Sequence, residues 1–411
     1  MRGISTLSVA VTLAVLSGRA MAATFQVTPE DDVQAVIDAA PDGSTILLGP
    51  GTYTGPIALD ARTGIRIRGR GGPVVQAVEG AAIYVSSCTG VTITGVTARG
   101  DTGVSVSEST GTLVTKVKVT DSGTGILVAN SVDTRVLKCT VLDVSSHGIE
   151  DRAGEGTVIQ DCVVDGTGGS GLELSANGWG AMIDGLVSRN VVRNTGSYGA
   201  HFAGDNTGIE KNVFETIGQN CIFLESSTAT TGCVIQKNVI SSVAADAIHI
   251  QLCTDTTFSK NRITDAGFRG ISSFLNCSGL VFEKNSISGT GSTGISLQAD
   301  GSTLVANRIS GTGAEGVRIW GGDGVNVLQK NRITRAGSDG ISLETGGAVL
   351  ERNTVIDCGG NGIALRAGNN ALTKNTANGN GVETDGVDCY HPSSDNSFTD
   401  NRFGTIDDGI E

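Results

Sequence analysis

The chain has 411 residues, 60 of them glycine, with only 10 Phe, 4 Tyr and 2 Trp, and its 42 acids outnumber its 29 bases. Glycine does not recur at every third position, which excludes a collagen-like chain, and regularly placed β-branched residues exclude disorder. The acidic balance argues against nucleic acid and anionic membranes as partners.

From the N-terminus, Arg2 is succeeded by a mostly apolar run from Ile4 to Leu16 and by Ala20-Met21-Ala22, a small-x-small cleavage pattern. Residues 1–22 are therefore expected to be a signal peptide and the protein to be secreted, into the periplasm or beyond. Its removal takes away Arg2 and Arg19 and no acid, leaving 27 bases against 42 acids, a net charge of −15. No later segment approaches the ~20 apolar residues of a membrane helix, so no membrane insertion is expected after cleavage. Residues 23–44 read as an N-terminal capping segment. Thr28 is the expected N-cap, Pro29 the first helical residue, and Glu30 and Asp31 the acids of the first turn of a helix over 29–40. Val33, Val36 and Ile37 give that helix an apolar face, suited to covering the open end of a stack of strands.

Residues 45–411 form a repeat. Asparagine recurs at Asn190, Asn212, Asn238, Asn261, Asn285, Asn307, Asn331, Asn353 and Asn375, with steps of 22, 26, 23, 24, 22, 24, 22 and 22. A second marker keeps the same beat, as in Gly171-Leu172-Glu173-Leu174, Gly294-Ile295-Ser296-Leu297, Gly340-Ile341-Ser342-Leu343 and Gly362-Ile363-Ala364-Leu365. A unit near 23 residues holds two or three short strands, and strands that recur one coil later stack in parallel. The expected fold is all-β: a single-stranded right-handed parallel β-helix, a solenoid of about 15 coils at ~4.8 Å per rung. The asparagines are expected to form a rung-to-rung amide ladder. Glycine before each strand suits a corner with unusual backbone angles. Cys139 and Cys162 share one repeat position, as do Cys253 and Cys277; each pair is either a buried thiol ladder or a disulfide, and the odd total of nine cysteines leaves at least one unpaired.

The opening Pro41-Asp42-Gly43-Ser44-Thr45-Ile46 and Gly49-Pro50-Gly51-Thr52-Tyr53, with the downstream repeats, resembles the pectin-lyase-like β-helix superfamily. That resemblance covers nearly all of the mature chain. It implies a polysaccharide partner and a lyase, hydrolase or uronate epimerase, or else an adhesin or a non-catalytic periplasmic protein.

Strand alternation predicts that the x of Gly-Ile-x-Leu faces solvent. That column reads Leu127, Glu150, Glu173, His201, Phe223, His249, Ser272, Ser296, Arg318, Ser342, Ala364 and Asp388. Two residues on lie Arg152, Glu225, Gln251, Phe274, Trp320 and Glu344, and at the strand starts His147, Tyr198, Asp246 and Arg269. Ionisable groups crowd between residues 147 and 251. Long loops carrying Asn177 and Trp179, and residues 226–231, interrupt the repeat beside them.

Removing the proton beside a uronate carboxylate requires a cation to neutralise the carboxylate, a base and an acid. Arg152 is the expected neutralising group, His201 the base and Tyr198 the second acid/base. Glu150 and Glu173 orient His201 or, alternatively, hold Ca²⁺, the one cofactor the pattern suggests. Trp179, Asn177, Glu225, His249, Gln251, Arg318 and Trp320 are expected to bind substrate. Tyr198-Gly199-Ala200-His201 is similar to the Tyr-Gly-x-Asp-Pro-His pattern of mannuronan C5-epimerases in its Tyr-Gly start, although the Asp-Pro-His core is absent. A lyase or epimerase of uronic-acid-containing glycans is the leading expectation. A non-catalytic carbohydrate-binding, adhesin-like or maturation protein is the rival, and a glycoside hydrolase using Glu150 and Glu173 a further one. A monomer is expected.

Overall fold

The computed structural model describes residues 21–174, 182–225, 230–382, 386–393 and 395–408. Most of the expected signal peptide (residues 1–20), the loop residues Asn177 and Trp179, and residues 226–229 of the second loop lie outside these described residues. The chain divides into two compact units, residues 1–191 and 192–411. Each is a parallel β-solenoid in which the coils give short strands to three sheets. Within one coil the first, second and third sheets receive, for example, Val234–Gln236, Val239–Val243 and Ile248–Gln251. The described residues make about 16 turns.

In the N-terminal unit the pairing begins earlier than residue 45. Thr24–Val27 is already a strand, in parallel register with Thr45–Leu48. This strand accounts for the additional coil. The helix between them runs Val33–Ala39, not 29–40, and its N-cap is Asp32, whose side chain accepts from the Ala35 amide at 3.0 Å. Thr28 to Asp31 form a turn in which the Asp31 carboxylate accepts from the Thr28 amide and hydroxyl. Proline at position 29 suits a turn as well as a first helical residue, and Asp32 outcompetes Thr28 as the cap. The helix buries Ile37, and Gln34 hydrogen-bonds both the amide and the carbonyl of Ala58.

Core columns follow from the register. In the N-terminal unit Ile83, Val104, Ile126, Ile149 and Leu172 stack one per coil and are fully buried. In the C-terminal unit Phe258 and Phe282 stack in the interior with ring centroids 5.1 Å apart. The glycine that opens a third-sheet strand is needed for close approach rather than for an unusual φ. A Cβ on Gly294 would stand 2.5 Å from the Gly316 carbonyl oxygen and 2.5 Å from Ile309, and its φ is not in the left-handed region.

The left-handed backbone sits instead at the residue before each ladder asparagine, including Lys237, Lys260, Lys284 and Lys330 at φ 55–56°. A non-glycine residue is disfavoured there, and the asparagine beside it holds the turn. Asn307 Oδ1 accepts from both the amide and the Nδ2 of Asn285. Its own Nδ2 donates to Phe282 O at 2.8 Å and to Asn331 Oδ1 at 2.9 Å. The same arrangement runs from Asn212 to Asn401, one position beyond the sequence pattern. In the N-terminal unit Cys139 and Cys162 take the ladder position: the Cys139 amide donates to Cys162 Sγ, and the Cys162 amide to Asn190 Oδ1. Both are free thiols, as are Cys253, Cys277 and the other five, and all nine are buried. Burial pushes the Cys253 and Cys389 thiols up to about 12.

Asn307→Ala removes a fully buried amide and strands the Asn285 amide and the Phe282 carbonyl, so urea unfolding is expected to show a loss of about 2–5 kcal/mol. Iodoacetamide is expected to leave the native protein unlabelled and to modify all nine cysteines after denaturation, as mass spectrometry would count them.

Candidate functional site

The residues singled out in the sequence fall into two sets, one in each unit. In the N-terminal unit Glu150 and Glu173 are in register on adjacent strands, Ile149–Arg152 and Leu172–Leu174. Alternation puts both toward solvent, yet both are buried, at 5% and 3% exposure. Their neighbours cover them. Arg152 Nε forms an ion pair with Glu150, while Ser170 Oγ donates to Glu173 Oε2 at 2.8 Å and His147 Nδ1 lies 3.8 Å from the same oxygen. Among the described residues no group of three or more His, Cys, Asp or Glu side chains is arranged to hold a metal ion.

Between Glu150 and Arg152, Asp151 points the other way. It continues the core column of Val128 and is fully buried. Its Oδ1 accepts from the Gly154 amide at 2.7 Å. Burial pushes this carboxyl up to about 6, outweighing the opposing pull of the Thr157 hydroxyl and the Gly154 amide.

In the C-terminal unit one register column of the third sheet reads His201, Phe223, His249, Ser272, Ser296, Arg318, Ser342 and Ala364. It continues to Tyr390 rather than the expected Asp388, because Ala364 pairs with Tyr390. Most of this column is buried instead of solvent-facing; Ser272 and Ala364 are 0% exposed. At one rung apart, large side chains close over the small ones between them.

Rings dominate the first part of the column. Tyr198, His201, Phe223, His249 and Phe274 form a continuous row with centroid separations of 4.9–5.3 Å, and Trp320 joins Phe274 at 5.7 Å. Trp320 reaches this position through a bulge, since Leu297 pairs with Ile319 while Gln298 pairs with Gly321. Glu225 approaches His201, Oε2 to Nε2, at 3.9 Å. Arg318 pairs with Glu344 at 2.8 Å.

The tightly bonded acid–base pair in the row does not stand out in the sequence. His249 Nδ1 lies 3.0 Å from Asp246 Oδ2 and 2.9 Å from Ser272 Oγ, and Ser272 Oγ donates to the same carboxylate oxygen at 2.6 Å. The Arg269 amide donates to Asp246 Oδ1 at 2.9 Å, with its guanidinium 3.8 Å from Oδ2. Burial pushes the Asp246 carboxyl up. Hydrogen bonds from His249, Ser272 and the Arg269 amide, with the Arg269 charge, outweigh burial and hold it below its ordinary value. A carboxylate at Nδ1 favours the tautomer protonated there and leaves Nε2 as the free base. That Nε2 lies 3.0 Å from the Gln251 amide nitrogen.

Two hollows flank this pair, of about 520 Å³ around Asp246, His249 and Gln251 and about 440 Å³ around Glu315, Arg318 and Trp320. Arg269 and Phe274 line both. A larger hollow of about 1010 Å³ elsewhere in this unit is lined mainly by glycine, alanine and threonine, with Asp265 its one ionisable residue. The ionisable side chains Asp246, His249, Arg269, Glu315 and Arg318 line the smaller pair instead. The sequence pattern does not single out Arg269, Ser272 and Phe274 as site residues, because their coil carries serine in the first column, nor Asp246, which stands at a strand start rather than in the His249 column. The Asp246-x-x-His249 spacing is the signal that could have found the pair.

The chain belongs to the right-handed β-helix family: the model for the right-handed beta helix region matches residues 63–210, 198–326 and 274–403. No curated protein matches it. Among solved structures it is similar to PfbA, a surface adhesin of Streptococcus pneumoniae, at 13% identity over 70% of this chain and 86% of that one, with a TM-score of 0.53. It is also similar to the tailspike protein of E. coli bacteriophage HK620, whose structure holds a pentasaccharide, at 13% identity over 91% and 76% of the two chains, with a TM-score of 0.53. A mannuronan C-5 epimerase A-module from Azotobacter vinelandii shares 16% identity over 90% and 93%, at a TM-score of 0.45. The first two likenesses show the fold alone.

Asp151 generates a prediction of its own. The folded state holds the proton up to about pH 6, whereas the unfolded chain releases it near pH 4. Stability should therefore fall as pH rises between these values, by about 2–3 kcal/mol in all. Asp151→Asn is expected to remove that fall: little difference from the parent at pH 4, and a higher melting temperature at pH 7.5. The lowered Asp246 carboxyl acts in the opposite sense and only below its unfolded value, so the two windows separate in a pH series of denaturant titrations.

Proposed function

We propose that the third-sheet face of the C-terminal unit binds a polysaccharide and carries out proton transfer at a uronic acid residue, by β-elimination or C5 epimerisation. The observation that carries this reading is the Asp246–His249 pair set within a row of rings. In this reading His249, not His201, is the base. Asp246 fixes its tautomer and stabilises the imidazolium that forms, the role a carboxylate plays toward a catalytic histidine elsewhere. His201 stacks face to face on Phe223 and is only 8% exposed, which suits a sugar-facing platform more than proton transfer. Arg269 and Arg318 meet the substrate carboxylate, and Tyr198 supplies the proton for the leaving oxygen or the opposite face. Phe223, Phe274 and Trp320 stack on the sugars. The leader-like residues 1–22 support an exported protein.

Binding without turnover is the second reading. The row of rings favours it as well, because rings serve sugar binding whether or not a base lies between them. Hydrolysis by Glu150 and Glu173 is less well supported, since each carboxylate already has a donor on it.

Incubation with alginate, polygalacturonate and glycosaminoglycans, following the ultraviolet absorbance of the unsaturated product and proton exchange at C5, tests the proposal. His249→Ala is expected to lower turnover about 10²–10⁴-fold with melting unchanged, and Asp246→Asn to lower it by a comparable factor. Full turnover in His249→Ala would place the chemistry elsewhere. Silence on every polyuronate together with saturable glycan binding would establish the non-catalytic reading.

A further inference from the structure

The corner between the first and second sheets of the C-terminal unit, which the third sheet does not share, carries a column of bases. The residue before the ladder asparagine is Lys211, Lys237, Lys260, Lys284, Lys330 and Lys374 in six coils and Arg352 in a seventh. The residue after it is arginine in four coils: Arg262, Arg308, Arg332 and Arg402. All eleven are exposed. They are 11 of the 16 bases of residues 192–411. Glu210, Glu283, Glu351 and Asp400 share the corner and leave it seven positive charges in excess, while the rest of the unit has 5 bases against 19 acids.

The geometry is set by the backbone. Each lysine amide donates to the carbonyl preceding the equivalent residue of the next coil, as Lys237 does to Ser259 and Lys330 to Glu351, so the side chains leave in register. The buried amide ladder lies directly beneath. At ~4.8 Å per rung the column runs about 40 Å. Among the described residues, Lys211, Lys284 and Arg352 are the members of the corner held in ion pairs, each with the glutamate before it in sequence. Lys284, with Lys260 adding to it, holds the Glu283 carboxyl below its ordinary value.

We infer that this corner is a docking surface for a linear anionic polysaccharide, one bearing a carboxylate or sulfate on successive sugars. Like charges stacked one rung apart repel one another, and nothing in the fold requires them, because alanine serves at Ala306 in the same position. A line of cations complements a line of anions better than it complements the plane of a membrane. No aromatic ring stands in either column, so bases of a single-stranded nucleic acid find nothing to stack on. The acidic remainder of the unit repels a polyanion, which confines it to the corner. The inference is independent of the chemistry assigned to His249.

Affinity electrophoresis or interferometry with polygalacturonate, alginate and heparin at about 50 and 200 mM NaCl tests it, with neutral dextran, duplex DNA and anionic vesicles alongside. Binding is expected to the polyanionic glycans and not to dextran, and to weaken at least about tenfold across that salt range. A Lys237→Gln, Lys260→Gln, Lys330→Gln, Lys374→Gln variant is expected to bind at least about tenfold more weakly with unchanged melting. The corresponding Lys→Arg variant and Arg335→Gln are expected to keep parental affinity. Undiminished binding by the glutamine variant, or an equal loss in Arg335→Gln, would overturn the corner as the site. Tighter binding to DNA or vesicles than to every polyuronate would overturn the partner.

Discussion

A buried amide side chain offers two donors and an accepting oxygen, and in a dry interior each left unmade costs free energy. Coil stacking satisfies them all. From Asn238 to Asn375 each ladder asparagine closes its own turn by donating to a carbonyl of the coil before, and joins the next coil through its amide and its neighbour's oxygen. The left-handed residue beside it is unfavourable in isolation, and the ladder makes it the only backbone that fits. Register is thereby fixed coil by coil. A slip of one residue would turn every core side chain to the outside and leave the asparagines unpartnered at the same time.

Fixed register is what converts a one-dimensional repeat into a surface with chemistry. Groups 22–26 residues apart in sequence become neighbours one rung apart, so a column can be written residue by residue. His249 meets Ser272 from the next coil, and both meet Asp246 from the start of the His249 strand. The scaffold contributes rigidity and the column contributes identity. A rigid support matters here because the tautomer of His249 depends on an oxygen held within about 3 Å of one ring nitrogen.

Much of this is legible in the sequence, and the limits have physical causes. The asparagine beat and the Gly-Ile-x-Leu marker report backbone geometry that recurs in every coil, so the fold and the strand columns can be read from them. The helix start cannot, because Thr28 and Asp32 both cap well and only the packing of Ile37 and Gln34 decides between them. Alternation correctly separates core from outer face, but an outer face is not the same as an exposed one. Glu150, Glu173 and His201 lie outside the core and are nonetheless covered by their neighbours. Asp151 breaks the alternation rule outright, a carboxyl in a valine column. The Asp246–His249 pair is hidden because the two residues belong to different outward columns, and a column-by-column reading never sets them side by side.

The distribution of charge says more about a partner than net charge does. An acidic total argues against a polyanionic partner only if charge is spread evenly. Here the repeat segregates it: whatever residue type a turn position favours is copied into a line, and a modest preference for lysine before the ladder asparagine becomes a cationic edge on an acidic unit. The same copying places rings in a row on another face. In a solenoid, therefore, the quantity that predicts a partner is the charge of a column and not of the chain, and a polymer with its own regular repeat is the ligand that such a column can address along its whole length.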